Sequence, residues 1–360
     1  MNKKISLLTI AVGILLISSC KKDPDEPAAP TPTASEDLNA SILSDFSVNL
    51  PQATYNDLAS KSAQLYTAIQ TFNTTTTDVN LTACKQLWKD TRSAWEQSEG
   101  FLFGPVSTNS IDPRIDTWPV NYTDLDSVLS SSAVFSSAYV DGLEDALRGF
   151  HPIEYLLFGT SGNKTAAEFT AREKDFLIAL ADNLQTLTAS VASSWNPAAS
   201  GNYSAQFTAA GQSGSVYATK RAAFEEMVNA MIGICDEVAN GKIQEPFAAS
   251  DPSLEESPFA FNSITDFSNN IKSVQNVYLG KYTTDGKGLE DLVRAGNLSL
   301  DGEVKGRINA ALAALNNITV PFGQAIITQP VQVTSAQAAI NDLKDALEND
   351  LLPYVQANTN

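Results

Sequence analysis

Gly149-Phe150-His151-Pro152-Ile153-Glu154-Tyr155-Leu156-Leu157-Phe158-Gly159 holds the only histidine of a 360-residue chain, three positions before a carboxylate and beside an apolar block that must be buried. An imidazole and a carboxylate fixed next to a core are what a metal or proton-transfer site requires. Helical spacing would set His151 and Glu154 on one face. Pro152 disfavours a helical His151, so the stretch predicts a helix that kinks or restarts here, with Pro152 in its first turn and Glu154 just inside. Glu99-Gly-Phe-Leu-Phe-Gly104 echoes Glu154-Tyr-Leu-Leu-Phe-Gly159 at a separation of 55 residues (154 minus 99), and two such elements could turn their carboxylates to one pocket. A lone histidine among aromatics also fits a satisfied packing residue, and Glu99 by itself fits a helix surface.

Outward from this stretch, nearly every periodic segment is helical. Helices are expected over 55–72, 78–103, 136–148 and 165–195, then over 216–240, 264–282, 288–295, 303–316 and 335–356. With about four substantial helices in each half, the fold class is all-α: two tandem four-helix-bundle-like domains, 39–198 and 212–358, suggestive of an old duplication. The boundary falls in the Pro-, Ala-, Ser- and Gly-rich stretch 196–214. Residues 105–135 fit no helix pattern, and Asp112-Pro-Arg114-Ile-Asp116-Thr-Trp118-Pro119 reads as a constrained loop whose prolines hold the preceding residues extended. Long irregular loops in helical proteins often carry function. Asp112, Arg114 and Asp116 serve equally well as turn-forming and surface-paired charges.

At the other end, Lys3 and Lys4 precede an apolar run from Ile5 to Ile17, too short for a comfortable membrane span of about 20 residues. The run stops at Ile17-Ser18-Ser19-Cys20, which resembles a bacterial lipoprotein signal. Residues 1–19 are then a signal peptide, Cys20 the lipidated anchor, and 20–38 a proline- and charge-rich tether. An uncleaved anchor or a secretory signal cut elsewhere are the competing readings. Lys21, rather than Asp, follows the cysteine, which points to the outer membrane with the leaflet left open. Cys84 and Cys235 lie in amphipathic segments and are expected to be free buried thiols, although an oxidising envelope would permit them to pair. The net charge of -18 excludes sequence-independent nucleic-acid binding and makes cations the natural partners, unless acidity serves only solubility.

Three blocks in order resemble the imelysin family: Ala94-Trp95-Glu96-Gln97-Ser98-Glu99-Gly-Phe-Leu-Phe-Gly-Pro-Val106, Asp116-Thr-Trp118-Pro119, and the GxHxxE motif of Gly149, His151 and Glu154. These are bacterial envelope proteins, also called the M75 peptidase group, with relatives in ferrous-iron uptake. The resemblance, from about Leu38 to Gln356, implies two related helical bundles, a polar site near where they meet, and a link to iron acquisition. It carries the motif onto Gly149, His151 and Glu154 and the tryptophan-glutamate block onto Trp95 and Glu99. No second-half site residue is carried over.

A zinc peptidase commonly uses three protein ligands and a positioned base. With one histidine in the chain, any zinc here would need carboxylates. One imidazole with Glu99, Glu154, Asp116 and Asp112 suits a hard, oxygen-preferring ion such as ferric iron or calcium better than zinc. The leading expectation is therefore an envelope lipoprotein that binds iron or an iron-bearing ligand and assists uptake together with iron-transport components. In it His151 and Glu154 contact the ion, Glu99 and Asp116 complete the shell beside Trp95 and Trp118, and Arg114 holds an anionic co-ligand. The alternatives are a metal-dependent peptidase with Glu154 or Glu99 as general base, and a non-catalytic interaction scaffold.

Overall fold

The computed structural model describes residues 34–360, so the expected signal peptide, Cys20 and most of the tether lie outside the described residues. Among the described residues there is no strand, only an isolated bridge between Lys281 and Asp285. No described helix is long and apolar enough to cross a membrane.

The fold is all-α and built from two bundles. After α1 (Ala34–Ser47), the first bundle comprises α2 (Ala53–Thr74), α3 (Asp78–Glu96), the short α4 (Ile111–Asp116), α5 (Phe150–Phe158) and α6 (Ala171–Trp195). Thr77 caps α3 by accepting from the Asn80 amide, and Thr170 with Glu173 forms a reciprocal capping box on α6. α2 packs on both α3 and α6, and α5 closes the ring between them. The Trp88 indole donates to the Phe150 carbonyl at 3.0 Å, tying α3 to the start of α5.

The second bundle is a ring of α7 (Lys220–Asp236), α8 (Ser263–Leu279), α9 (Leu298–Asn316) and α10 (Pro330–Ala346). α8 also lies against α3 and the turn Glu99–Phe101, so these two helices form the seam between the bundles. α7 continues into a π-helical segment, Glu237–Ile243, which turns Lys242 into the seam. Wide turns of this kind often sit at functional sites. A shared aromatic core of Phe46, Tyr55, Phe101, Phe103, Trp195 and Phe207 lies beside the seam. Each such side chain, fully buried, contributes roughly 1.5–3 kcal/mol.

Several expected boundaries shift, for identifiable reasons. The helix expected over 78–103 stops at Glu96, and Glu99 sits in a 3-10 turn, so its echo of Glu154 holds for the terminating glycines (φ +66° at Gly104, +68° at Gly159) but not for the helix. Residues 105–135 are not irregular but contain three short helices, Pro105–Thr108, α4 and Tyr122–Ser130. Pro113 lies in the first turn of α4 rather than breaking it, because a first-turn residue needs no backbone N–H partner. The helix expected over 136–148 is only Ser137–Asp141, capped by Gly142 and followed by a separate turn. The presumed boundary stretch carries helix Ser204–Thr208, whose Phe207 is wholly buried.

Candidate functional site

Gly149 sets the geometry of the motif. It starts α5 at φ +82°, and a Cβ there would overlap the Ile115 carbonyl, so only glycine lets α5 press against the end of α4. Pro152 lies in the first turn, and His151 is helical despite preceding it. The close approach places the His151 ring against Asp116, the last residue of α4, with Nε2 at 3.0 Å from Asp116 Oδ1.

Asp116 is the hub. Its Oδ1 also accepts from Arg92 Nη1, and its Oδ2 accepts from Trp95 Nε1 at 2.6 Å. His151 is pushed well below its ordinary pKa by burial and by the cationic Arg92 and Lys242, so it is neutral. With Asp116 Oδ1 already an acceptor, the network assigns the ring proton to Nε2. Glu154 Oε2 stands 3.4 Å from the remaining Nδ1, while Oε1 accepts from the backbone amides of Phe259 at 2.9 Å and Ala260 at 2.8 Å. Burial holds Glu154 well above the usual carboxylate range, so its retained proton faces the Nδ1 lone pair.

Arg92, wholly buried, reaches across the seam. Its Nη2 lies 2.6 Å from Glu96 Oε1 and 2.7 Å from Glu256 Oε1, and its Nε lies 3.7 Å from Asp266 Oδ1. Burial opposes its charge, but Glu96, Glu256 and Asp266 together outweigh that cost and hold it protonated. Lys242 Nζ sits 2.7 Å from Glu256 and 3.7 Å from Glu96. The Asn270 amide donates to Glu96 Oε2 at 2.5 Å, and Ser257 and Asn262 donate to Asp266 at 2.6 and 2.7 Å.

The charge balance is uneven. Glu96, Glu99, Asp116, Glu154, Glu255, Glu256 and Asp266 are all buried, against two buried cations, Arg92 and Lys242. Burial pushes Glu96 up to about 8, Asp266 and Glu255 up to about 6, and Glu99 well above its usual range. Such a site holds protons that a metal cation can replace. Ligand atoms of Glu96, Glu99 and Asp116 all lie within 4.8 Å of one another, close enough to share one ion. Buried acceptors are also left over: Glu256 Oε2, Asn270 Oδ1, and Glu96 Oε1, which faces Arg92 off the hydrogen-bonding direction. The donor set therefore fits a hard cation better than it fits none.

The expected site residues do not all share this centre. Asp116, His151, Glu154 and Trp95 are in direct contact, and Glu99 joins them through Asp116 and Glu96. The Trp118 ring packs 6.1 Å from the imidazole, with Lys242 Nζ 5.3 Å from its centre. Asp112 lies with Glu99 on an open cleft rather than beside His151. Arg114 does not serve the site; it pairs at the surface with Asp141, which Arg148 also approaches, so the expected anionic co-ligand loses its anchor. The void lined by His151 and Glu154 is about 10 Å³, room for no more than a single water.

Sequence reasoning missed Arg92 and Glu96 in the first bundle and Lys242, Glu256, Asp266 and Asn270 in the second. One signal was available. Arg92 continues the inward stripe of Leu81, Cys84, Trp88 and Trp95 at helical spacing, and Asp266, Asn270 and Ser273 do the same on α8 beside Val274 and Val277.

Comparison with known proteins places this arrangement. The family model described as Imelysin (Peptidase M75) matches residues 51–349. "Iron-regulated protein A" of Synechococcus elongatus is 31% identical over 315 residues, 84% of this chain and 83% of that protein. The crystal structure of a protein described as an iron-regulated protein A precursor, from Parabacteroides distasonis, superposes with a TM-score of 0.80 at 24% identity, covering 92% of this chain and 97% of that one. An imelysin-like protein from Psychrobacter arcticum gives a TM-score of 0.73 at 12% identity, covering 91% and 98%, and shares the fold. Two packed helical bundles, a GxHxxE stretch at their seam and a matching model over most of the chain make this protein a member of the imelysin family.

Proposed function

We propose that this protein is a lipid-anchored envelope component that binds iron at the seam between its bundles and assists iron uptake. The observation that carries the reading is the convergence of Glu96, Glu99 and Asp116 within 4.8 Å, inside a centre where buried carboxyl groups outnumber buried cations. His151, one hydrogen bond from Asp116, and Glu154 behind it orient the shell and adjust its charge. Iron is cargo in this reading, and no bond-breaking step is required. The name of the cyanobacterial relative supports the choice of iron among oxygen-preferring ions. The lipoprotein-like start at Cys20 supports an outer-membrane tether, with iron-transport components as the partners.

A peptidase reading is better served by Glu99, on the open cleft, than by Glu154, both of whose oxygens are engaged and whose adjoining void holds about 10 Å³. The test uses protein lacking residues 1–20, titrated with iron, zinc and calcium by calorimetry and thermal shift. Iron is expected to raise the melting temperature, because only the native state assembles the site, and Glu99→Ala or Asp116→Ala should weaken it at least tenfold. Absence of any metal-dependent stabilisation, or binding indifferent to both substitutions, would sink the proposal.

A further inference from the structure

Glu99 belongs to two surroundings at once. Toward the interior it is part of the trio with Glu96 and Asp116. Toward solvent it lines an open cleft of about 570 Å³ between the 99–113 segment and α7. The cleft has an apolar wall that includes Phe103, Val106 and Ile234, and its charged lining residues are Glu99, Asp112, Glu226 and Glu237, with no Lys or Arg among them. Lys242 stands behind this lining, 3.5 Å from Glu237 and 3.7 Å from Glu96, at the inner end.

Acidic residues on a surface are common and mean little alone. Glu99 is different: it is only 6% exposed, and among the described residues its carboxylate takes part in no hydrogen bond or ion pair at contact distance. A buried carboxyl group that no protein donor satisfies carries a desolvation cost, and Glu96 and Asp116, with ligand atoms within 4.8 Å, bring it further carboxylates rather than a donor. A cation arriving through the cleft removes that cost.

We propose that the cleft is the entrance for the ion and selects its form: it admits iron as a hydrated cation and turns away iron held in an anionic chelate. The inference rests on the iron-binding reading and deepens it. Glu237 and Asp112 attract the cation at the rim, and Glu99 passes it to Glu96 and Asp116, displacing Lys242 toward Glu256. Field focusing in a cleft of one sign speeds capture of the opposite charge and slows capture of the same charge. An anionic complex such as ferric citrate meets four carboxylates and no cation before it reaches Lys242.

The experiment is stopped-flow binding of ferrous ion under argon, and of ferric citrate, to protein lacking residues 1–20, at low and high salt. The variants are Asp112→Asn with Glu237→Gln, and the reversal Glu237→Lys; melting temperatures establish that each is folded. Ferrous ion is expected to bind the unaltered protein with a rate that falls with salt, to bind the double variant about tenfold more slowly at low salt, and at similar rates to both at high salt. Ferric citrate should fail to bind except, weakly, to Glu237→Lys. If iron binds but the chelate binds as readily as the free ion, or the double variant is as fast as the unaltered protein, the entrance is wrong and the iron site stands. If neither form of iron binds, both fall together.

Discussion

Arg92 and His151 share one oxygen, Oδ1 of Asp116. A fixed cation and a neutral imidazole thus donate to the same carboxylate oxygen, and Trp95 holds the other. Asp116→Asn puts an amide among these three donors, where one N–H must face another. We expect a loss of 2–4 kcal/mol, on the order observed when a buried charged group loses a partner but retains others. Urea unfolding at neutral pH measures it, and a change below about 0.5 kcal/mol would show that Asp116 is not the hub.

Glu154 gives a paired test. Because its acid form is the one that fits, Glu154→Gln keeps an acceptor for the Phe259 and Ala260 amides and a donor toward His151, and should cost about 1 kcal/mol or less. Glu154→Ala leaves both amides without a partner and should cost several times more. Hydrogen exchange at residues 259 and 260 should be unchanged in the first and much faster in the second. Equal exchange in both variants would show that Oε1 does not hold these amides, and a cost for Glu154→Gln well above about 1 kcal/mol would contradict the assigned protonation.

Stability of the metal-free protein should fall as pH rises from about 6.5 to 8. Burial raises Glu96 to about 8 in the native state, whereas the unfolded chain releases that proton near the ordinary 4.5. The native state therefore binds more protons across this window, so its advantage shrinks as pH climbs through 8. His151 acts in the opposite sense, but only below its ordinary 6.5, where the unfolded imidazole gains a proton that the native one refuses. If iron is held as proposed, its binding should reverse the trend, since the ion needs the proton gone. Melting curves across the window check this; a slope no shallower in Glu96→Gln would assign the effect elsewhere.

Gly149→Ala should be among the most damaging single-methyl changes in the chain. It combines a left-handed backbone with a Cβ that overlaps the Ile115 carbonyl, so α5 must move away from α4 and His151 away from Asp116. We expect a loss of roughly 2–4 kcal/mol and a marked weakening of iron binding. Near-native stability would show that the close approach is not needed.

Cys84 and Cys235 are free and buried, and burial pushes the Cys84 thiol up to about 12 and that of Cys235 higher still. Neither should react with a thiol reagent in the folded protein lacking residues 1–20, and both should react in denaturant.

The helical class, the bundle count and the GxHxxE stretch are legible because they rest on local signals: the 3.6-residue period, helix-stopping glycines and one rare histidine. The short helices of 105–135 are not, since proline at a first helical turn and proline in a loop look alike along the chain. The partners of Arg92 are hidden for a different reason. Glu256 and Asp266 stand 164 and 174 positions away (256 minus 92; 266 minus 92), and no local period encodes a contact of that separation. What the chain does reveal is where such a contact must begin, a charged residue set into an apolar stripe.

That residue also bears on how the halves can exist. A guanidinium rooted in one bundle, with two of its four counter-charges supplied by the other, makes each half an incomplete object: the first would expose a charged cluster of Arg92, Glu96 and Asp116 on an oily face, the second Glu256 and Asp266 without their arginine. A gene cut between positions 198 and 212 should therefore yield two insoluble fragments, rescued only when they are made together.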